Sequence, residues 1–174
     1  AGGLVINVDD DTPTASAAFL TGTVDEDGVG GGIAGGIGDV AGAATIASGS
    51  VSSLFNSGAD APLTYALSLT TVATLTALNL TSAGTALTYS VAGDIVTASA
   101  NGGAVFTFQL TAAGAWTFTL IDQLDHAQGA DENDLLISLG GIVTATDADG
   151  DLVTAAAGGL VINVDDDTPT ASAA

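Results

Sequence analysis

Residues 86–121 read ALTYSVAGDIVTASANGGAVFTFQLTAAGAWTFTLI. Phe106, Phe108 and Leu110 alternate with other residues, and the same period of two recurs through 115–121. This alternation is typical of strands with one buried face. Gly-Asp, Asn-Gly and a lone glycine separate the runs, and such residues tolerate the backbone angles of tight hairpins. The stretch therefore predicts a meander of four strands at 86–91, 95–98, 104–111 and 115–121.

The rest of the chain extends the same pattern. Further strands are predicted near 50–55, 63–69, 72–80, 135–145 and 152–164. The glycine-rich residues 28–42 are predicted to form an ordered loop or a bulged strand, and the acidic residues 122–134 a loop with one short helical turn. The sequence therefore predicts an all-β fold, an Ig-like β-sandwich with Greek-key or meander connections.

An exact duplication defines the domain organisation. Residues 1–18 and 157–174 are both AGGLVINVDDDTPTASAA, so the offset is 156 residues. Self-similarity at a fixed offset is typical of tandem repeats. We expect residues 1–13 to be the last strand and DDDTP linker of a preceding repeat, 14–164 one complete repeat, and 165–174 the linker and start of the next. Residues 1–8 are expected to fray or to pair with the sheet edge of a neighbouring molecule.

The charge balance excludes several classes of function. The 174 residues include no Lys or Arg and 20 Asp or Glu, which gives a net charge of -20. Nucleic-acid binding is not expected, because phosphate contacts require Lys and Arg, and no apolar run is long enough to predict membrane insertion. With one His and no Cys, few groups remain for acid–base or nucleophilic chemistry, so we expect no enzyme. Glycoside cleavage by a carboxylate pair is disfavoured, because Trp116 lies in a predicted core strand.

The acidic residues fall into clusters between long uncharged stretches. Clustered carboxylates repel one another unless a cation binds them, and Ca²⁺ prefers oxygen ligands. The sequence therefore predicts several Ca²⁺ ions per repeat, which stabilise the fold. The candidate ligands are Asp9, Asp10, Asp11, Asp25, Glu26, Asp27, Asp131, Glu132, Asp134, Asp147, Asp149, Asp151, Asp165 and Asp167.

The motif DADGD at 147–151 is the most specific of these clusters. Its carboxylates at i, i+2 and i+4 can converge on one cation, although an Asp-rich turn is the alternative. If 152–164 runs in one direction, the linker Asp9–Asp11 meets this motif, and Asp25–Asp27 joins them. A reversal at Gly158-Gly159 would instead put the motif and the following linker at the same end.

Two acidic-loop features leave alternatives open. The cluster at 131–134 is predicted either to bind a cation with Asp122 or Asp125 or to be a solvated loop. His126 is the only histidine. We expect it to pack in a loop or lie on the surface rather than to bind Ca²⁺, because Ca²⁺ prefers oxygen ligands.

Five segments together resemble a known family. They are VDEDG at 24–28, GGIAGGIGDVAG at 31–42, LIDQLDHAQGADEND at 120–134, TATDADGD at 144–151 and VDDDTPTA at 164–171. In matching order, they resemble the tandem repeats of giant RTX adhesins, the biofilm-associated proteins of Gram-negative bacteria exported by type I secretion. The resemblance implies an extracellular, calcium-dependent β-sandwich spacer at the bacterial surface, in contact with neighbouring repeats. Self-association between chains through open sheet edges, or binding of a glycan or surface, is the alternative.

Overall fold

The computed structural model describes residues 3, 4, 6, 10–36, 39, 41–128 and 133–168. Within them the chain forms fifteen strands and one short α-helix, α1 (Thr71–Thr76). Short 3-10 turns separate several strands. The strands are β1 (Thr14–Ala15), β2 (Leu20–Asp25), β3 (Ile46–Ser50), β4 (Phe55–Asn56), β5 (Thr64–Leu67), β6 (Thr81–Ser82), β7 (Thr85–Ala86), β8 (Thr88–Ala92), β9 (Ile95–Ala100), β10 (Gly103–Leu110), β11 (Ala115–Leu120), β12 (Leu135–Ser138), β13 (Val143–Thr146), β14 (Leu152–Thr154) and β15 (Leu160–Asp165).

The predicted meander is confirmed and forms the larger sheet. Strands β8 to β11 pair antiparallel in sequence order, and β3 adds to β11, giving the order β3-β11-β10-β9-β8. The inner face carries Phe106, Phe108 and Leu110 on β10 beside Trp116 and Phe118 on β11, all buried. These aromatic side chains form the centre of the core, as their period of two requires.

Two three-stranded sheets, β12-β15-β2 and β14-β13-β5, form the opposing layer. The layers pack closely at Gly22 of β2, where a Cβ atom would lie 2.8 Å from the Trp116 ring and 2.9 Å from Ala47 Cβ. A side chain there would separate β2 from the larger sheet. The protein is therefore an all-β sandwich, in which β2 and β15 form the parallel pair and the other described pairs are antiparallel.

Two antiparallel segments, each interrupted once, run along the opposing layer. Strand β12 pairs with β15 and β13 pairs with β14, both antiparallel. The 3-10 turn Gly140–Ile142 separates β12 from β13, and the 3-10 turn Ala157–Gly159 lies beside it and separates β14 from β15. Backbone hydrogen bonds flank the interruption on both sides: Leu139 N–H donates to Leu160 O (2.8 Å), and Ala155 N–H donates to Val143 O (3.0 Å). The chain therefore keeps its direction from β14 to β15 without a reversal at Gly158-Gly159. The 147–151 hairpin and Asp165 consequently lie at opposite ends.

The predicted strand at 72–80 is wrong, because this segment begins with helix α1. Thr71 Oγ1 donates to Ser68 O (2.7 Å), and Ser68 Oγ accepts the Thr70 N–H (3.2 Å). Thr71 and Leu75 are buried while Val72 is exposed, so the buried positions are four residues apart, as on a helix. No helix among the described residues has the length and apolar composition needed to span a membrane.

Other predicted boundaries also changed. The segment 50–55 is the end of β3, a 3-10 turn and the start of β4. Strand β5 ends at Leu67, which leaves Leu69 fully exposed. The described residues of 28–42 form a loop that follows the 3-10 turn Glu26–Gly28, which agrees with the loop alternative. The described residues of 122–134 contain no helical turn.

The two copies of the duplicated segment have different environments. Leu160 and Ile162 on β15 are fully buried, whereas the equivalent Leu4 and Ile6 are 89% and 74% exposed. None of the described residues among 1–8 lies in a strand. The same apolar residues are therefore buried only where β12 and β2 flank them.

Gly140 packs closely against the backbone of the neighbouring turn at 156–159. We expect Gly140→Ala to destabilise the fold. A Cβ atom there would overlap Ala156 O and lie 2.8 Å from Gly159 N. Overpacking of this kind costs about 1–3 kcal/mol. The adjacent Gly141→Ala is the matched control, because its Cβ would lie 3.6 Å from Thr74 Cγ2, and it should change stability by less than about 0.5 kcal/mol. Urea unfolding of both variants tests this, and equal stabilities would contradict it.

Candidate metal centres

The acidic residues are concentrated at the two ends of the sandwich. We call the end with the 147–151 hairpin and the linker residues Asp10 and Asp11 the entry end. We call the end where Asp25 on β2 pairs with Asp165 on β15 the exit end. The segments β12–β13 and β14–β15 run antiparallel along the whole opposing layer, so the 147–151 hairpin and Asp165 lie at its two ends. Asp25 pairs with Asp165, and Asp25–Asp27 therefore lie away from the hairpin. The prediction that these two clusters meet is therefore wrong.

The entry-end hairpin is organised around Asp147. Asp147 Oδ1 accepts the N–H groups of Gly150 (3.0 Å) and Asp151 (2.8 Å), and Asp147 N–H donates to Asp151 O (3.1 Å). Gly150 supplies the turn with a φ of 112°. The carboxylates of Asp147, Asp149 and Asp151 each place an oxygen within 4.8 Å of the others. The i, i+2, i+4 pattern therefore does bring its three carboxylates together.

Two carboxylates of this hairpin compete for one proton. Asp147 is 7% exposed, and its Oδ2 has no hydrogen-bond donor among the described residues unless the neighbouring Asp149 is protonated. Sharing a proton with Asp147 raises the pKa of the exposed Asp149 to about 6, with further contributions from desolvation and from the negative charges of Asp10 and Asp147. Burial opposes the ionisation of Asp147, but hydrogen bonds from Asp149 and from backbone N–H groups keep the pKa of Asp147 low. The arrangement favours any cation that replaces the shared proton.

The linker entering the domain contacts this hairpin region. Asp11 Oδ2 accepts the N–H of Ala59 (2.6 Å), and the Asp11 carboxylate occupies the space where a Cβ of Gly58 would be. Asp10, Asp60 and Asp149 each place a carboxylate oxygen within 4.8 Å of the others. Linker, loop and hairpin therefore supply one carboxylate each to a second group.

The exit end holds a third group of carboxylates, formed by Asp25, Asp27 and Asp39. Asp25 is 3% exposed; its Oδ1 accepts the Asp27 N–H (2.8 Å), and its Oδ2 has no partner among the described residues. Burial raises the pKa of Asp25, the Asp27 N–H lowers it, and the charge of Asp39 raises it again. A buried carboxylate oxygen without a donor is costly, so this position also favours a cation.

The Glu26 side chain does not join the carboxylates of Asp25 and Asp27 but lies against the loop that contains Leu124 and His126. It is 1% exposed, and its Oε1 accepts the N–H of Leu124 (2.7 Å) and lies 3.3 Å from His126 Nε2. Burial raises the pKa of Glu26, partly offset by His126 and Leu124. Burial opposes the protonation of His126, but Glu26 and then Asp166 raise the pKa of His126 overall. Glu26 therefore belongs to a group with His126 and Asp166, separate from Asp25 and Asp27.

The remaining candidate ligands have varied surroundings. Asp165 is buried beside Asp25, and Asp167 lines a polar cavity of about 180 Å³ with Glu26, Asp122 and Asp125. Asp134 Oδ1 accepts a hydrogen bond from Asn163 Nδ2 on β15 (2.8 Å). Asp134 does not line the polar cavity. Asp9, Asp131 and Glu132 lie outside the described residues.

Four residues of these groups are missing from the predicted ligands: Asp39, Asp60, His126 and Asp166. Asp39 is the one acidic residue of the glycine-rich segment 28–42 and belongs to no acidic run in the sequence. Asp60 stands alone in the sequence and joins the linker only through tertiary structure. His126 packs in the loop after β11 with its side chain 4% exposed, which agrees with the loop-packing alternative; what the sequence did not indicate is its place beside two carboxylates.

Comparisons with curated proteins and with solved structures give no match. A family model described as "Domain of unknown function (DUF5801)" matches residues 6–158. The matched length is close to one 156-residue period of the duplicated segment. Since the match covers most of the chain, this protein belongs to the DUF5801 family.

Proposed function

We propose that this domain is a calcium-dependent structural spacer, one repeat of a large bacterial cell-surface adhesin. The observation that supports it best is the pair of buried carboxylate oxygens, Asp25 Oδ2 and Asp147 Oδ2, that lack a donor among the described residues. Each belongs to a group of three carboxylates. With no Lys or Arg in the chain, a metal cation is the most direct source of compensating charge.

The chemistry of the ligands favours Ca²⁺ at three of the four groups. The groups Asp147–Asp149–Asp151, Asp10–Asp60–Asp149 and Asp25–Asp27–Asp39 contain only carboxylates. Oxygen-only sites suit hard cations, and Ca²⁺ accepts six to eight oxygen ligands in flexible geometry. Mg²⁺ requires a stricter octahedron and retains more water. Loops that bring several carboxylates together therefore fit Ca²⁺ better.

The duplicated linker supports a role at the joint between domains. Asp10 Oδ1 accepts the Asp11 N–H (3.1 Å), and the equivalent Asp166 Oδ1 accepts the Asp167 N–H (3.0 Å). The same local hydrogen bond therefore recurs in the described part of both linker copies. At the entry end its aspartates reach Asp149 and Ala59, while at the exit end they reach His126 and the polar cavity. In a tandem array, one DDD segment would contact both domains.

Location and biological role follow from the same hypothesis. Ca²⁺ that binds only the folded state stabilises it by RT ln(1 + [L]/Kd), about 2.7 kcal/mol per site at a hundredfold excess over Kd. Low cytosolic Ca²⁺ would keep the chain unfolded for type I secretion, and high extracellular Ca²⁺ would fold it outside. The resemblance to RTX adhesin repeats supports a role in adhesion and biofilm formation, without enzymatic activity.

We expect Ca²⁺ to raise the unfolding midpoint of this chain. Two filled sites at a hundredfold excess over Kd would add about 5 kcal/mol, which is a large part of the stability of a typical domain. Thermal unfolding followed by circular dichroism, in chelator and then in millimolar Ca²⁺, measures the difference. Mg²⁺ at the same concentration is the control and should have a smaller effect. Equal midpoints in chelator and Ca²⁺ would contradict the proposal.

We expect Asp147→Asn with Asp149→Asn to loosen a joint without unfolding either domain. Asn keeps an oxygen for the Gly150 and Asp151 N–H groups, so the hairpin should persist while two negative charges are lost. In a protein of two repeats joined by the DDDTP linker, small-angle scattering in Ca²⁺ should show a broader distribution of interdomain distances. Asp94→Asn is the control, since Asp94 bonds Gln109 and lies outside the four groups. A rigid joint in the double variant would contradict the role of this hairpin.

We expect acidification to stabilise the metal-free fold. Asp149 has its pKa raised to about 6, and the pKa of His126 is raised above its usual 6.5. Between pH 7.5 and 5 the folded state therefore binds protons more tightly than the unfolded state, and its stability rises as pH falls. Protons and Ca²⁺ compete for the same carboxylates, so the stabilisation by Ca²⁺ should shrink over the same range. Melts in chelator and in Ca²⁺ at both pH values test this, and Asp149→Asn should weaken the metal-free trend. A metal-free midpoint that falls on acidification would contradict it.

A further inference from the structure

The group Glu26–His126–Asp166 differs from the others because it contains an imidazole. The His126 ring is 4% exposed, and its Nδ1 lies 2.6 Å from the carbonyl oxygen of Asn133. A contact this short to a carbonyl requires a proton on Nδ1, because a carbonyl only accepts. In the neutral ring the proton is then on Nδ1, and Nε2 presents a lone pair towards Glu26 Oε1 at 3.3 Å.

Two electron-rich atoms that face each other in a buried site require a cation between them. A proton is one candidate, held in a hydrogen bond of 3.3 Å that is longer than the about 2.7–2.9 Å usual for a charge-assisted bond. A transition-metal dication is the other. Ligand atoms at about 2.0–2.2 Å from a tetrahedral Zn²⁺ lie about 3.4 Å from each other, which agrees with the separation of Nε2 and Oε1.

We propose that Glu26, His126 and Asp166 form a binding site for a transition-metal dication of the Zn²⁺ class. The site is chemically distinct from the carboxylate-only groups, since imidazole nitrogen suits Zn²⁺ and related ions whereas Ca²⁺ prefers oxygen. One ligand atom from each of the three residues lies within 4.8 Å of the others. The proposal does not depend on Ca²⁺ binding elsewhere.

Surrounding hydrogen bonds hold the ligands as they do in metal sites. A metal-binding histidine usually donates its second ring N–H to a backbone carbonyl or carboxylate, and binding carboxylates are themselves hydrogen-bonded. Here Asn133 O accepts from Nδ1, Leu124 N–H donates to Glu26 Oε1, and Asp167 N–H donates to Asp166 Oδ1. Glu26 also lines the polar cavity of about 180 Å³, which has room for water, although His126 and Asp166 are absent from its lining.

The site would connect the linker to the domain body. Glu26 follows β2, His126 lies in the loop after β11, and Asp166 directly follows β15. Asp166 is the least buried of the three, with 20% of its side chain exposed, and its Oδ2 lies 3.9 Å from the protonated Nδ1. To bind a metal on Nε2, this more exposed carboxylate would have to turn towards Glu26. A metal bound to all three would fix the exit linker against two other segments. Glu26 and His126 provide the buried pair, and Asp166 closes the site.

Nuclear magnetic resonance of the unmodified protein tests the proposal directly. His126 is the only histidine, so the imidazole ¹⁵N signals of the folded chain need no assignment. With Ca²⁺ present throughout, one equivalent of Zn²⁺ should shift the Nε2 resonance to the position of a metal-bound nitrogen while Nδ1 keeps its proton. If both nitrogens stay protonated, or if the spectrum does not change on adding Zn²⁺, a proton occupies the site and the proposal is overturned.

Calorimetric titration of Zn²⁺ into Ca²⁺-loaded variants provides the second test. His126→Gln should weaken the tight Zn²⁺ site at least about a hundredfold and Asp166→Asn about tenfold, while Asp94→Asn should leave it unchanged. Ca²⁺ affinity should remain within about twofold in the His126 variant, which separates this proposal from the calcium hypothesis. Unchanged Zn²⁺ affinity in folded His126→Gln would overturn it. If that variant fails to fold, the spectra of the unmodified protein decide the question.

Discussion

Repulsion between carboxylates is the constraint on which the rest of this structure depends. The chain has 20 acidic side chains and no Lys or Arg, yet Asp25, Glu26, Asp147 and Asp165 are buried. Each buried carboxylate needs hydrogen-bond donors or a cation, because an uncompensated charge in the interior is very costly. The apolar core does not provide either. The acidic residues are consequently placed at the ends of strands, where turns expose backbone N–H groups.

The structure compensates these charges in two different ways. At Asp147 and Asp25, one carboxylate oxygen accepts backbone N–H groups of an adjacent turn while the other has no donor among the described residues. At Glu26, an oxygen accepts a backbone N–H from Leu124 and faces the ring of His126. The first arrangement leaves a carboxylate oxygen that a hard cation could bind. The second contains the one side chain with a nitrogen that can be protonated, and its geometry leaves a choice between a proton and a softer metal.

The sequence alone predicts the strands of the meander. It does not predict the elements and site residues whose positions depend on tertiary contacts. Phe106 to Phe118 follow a strict period of two, and this pattern identified the sheet and its inner face. Helix α1 was missed because Thr and Val in the segment favour strands, whereas burial of Thr71 and Leu75 against the body selects a helix. The DADGD hairpin was predictable because its ligands are local. Asp39 and Asp60 join their groups from distant loops, and Glu26 leaves its neighbours because its side chain turns towards His126.

The interrupted strand pair gives the two ends of the domain their functional relation. Since β14 and β15 keep one direction through the turn at Ala157–Gly159, the hairpin before β14 and the linker after β15 lie at opposite ends. Under the proposed function, repeats would follow one another through these two ends. The described linker residues Asp10 and Asp166 lie near Asp149 at one end and near His126 at the other. Cations bound there would act at the junctions between repeats, with the apolar core between them.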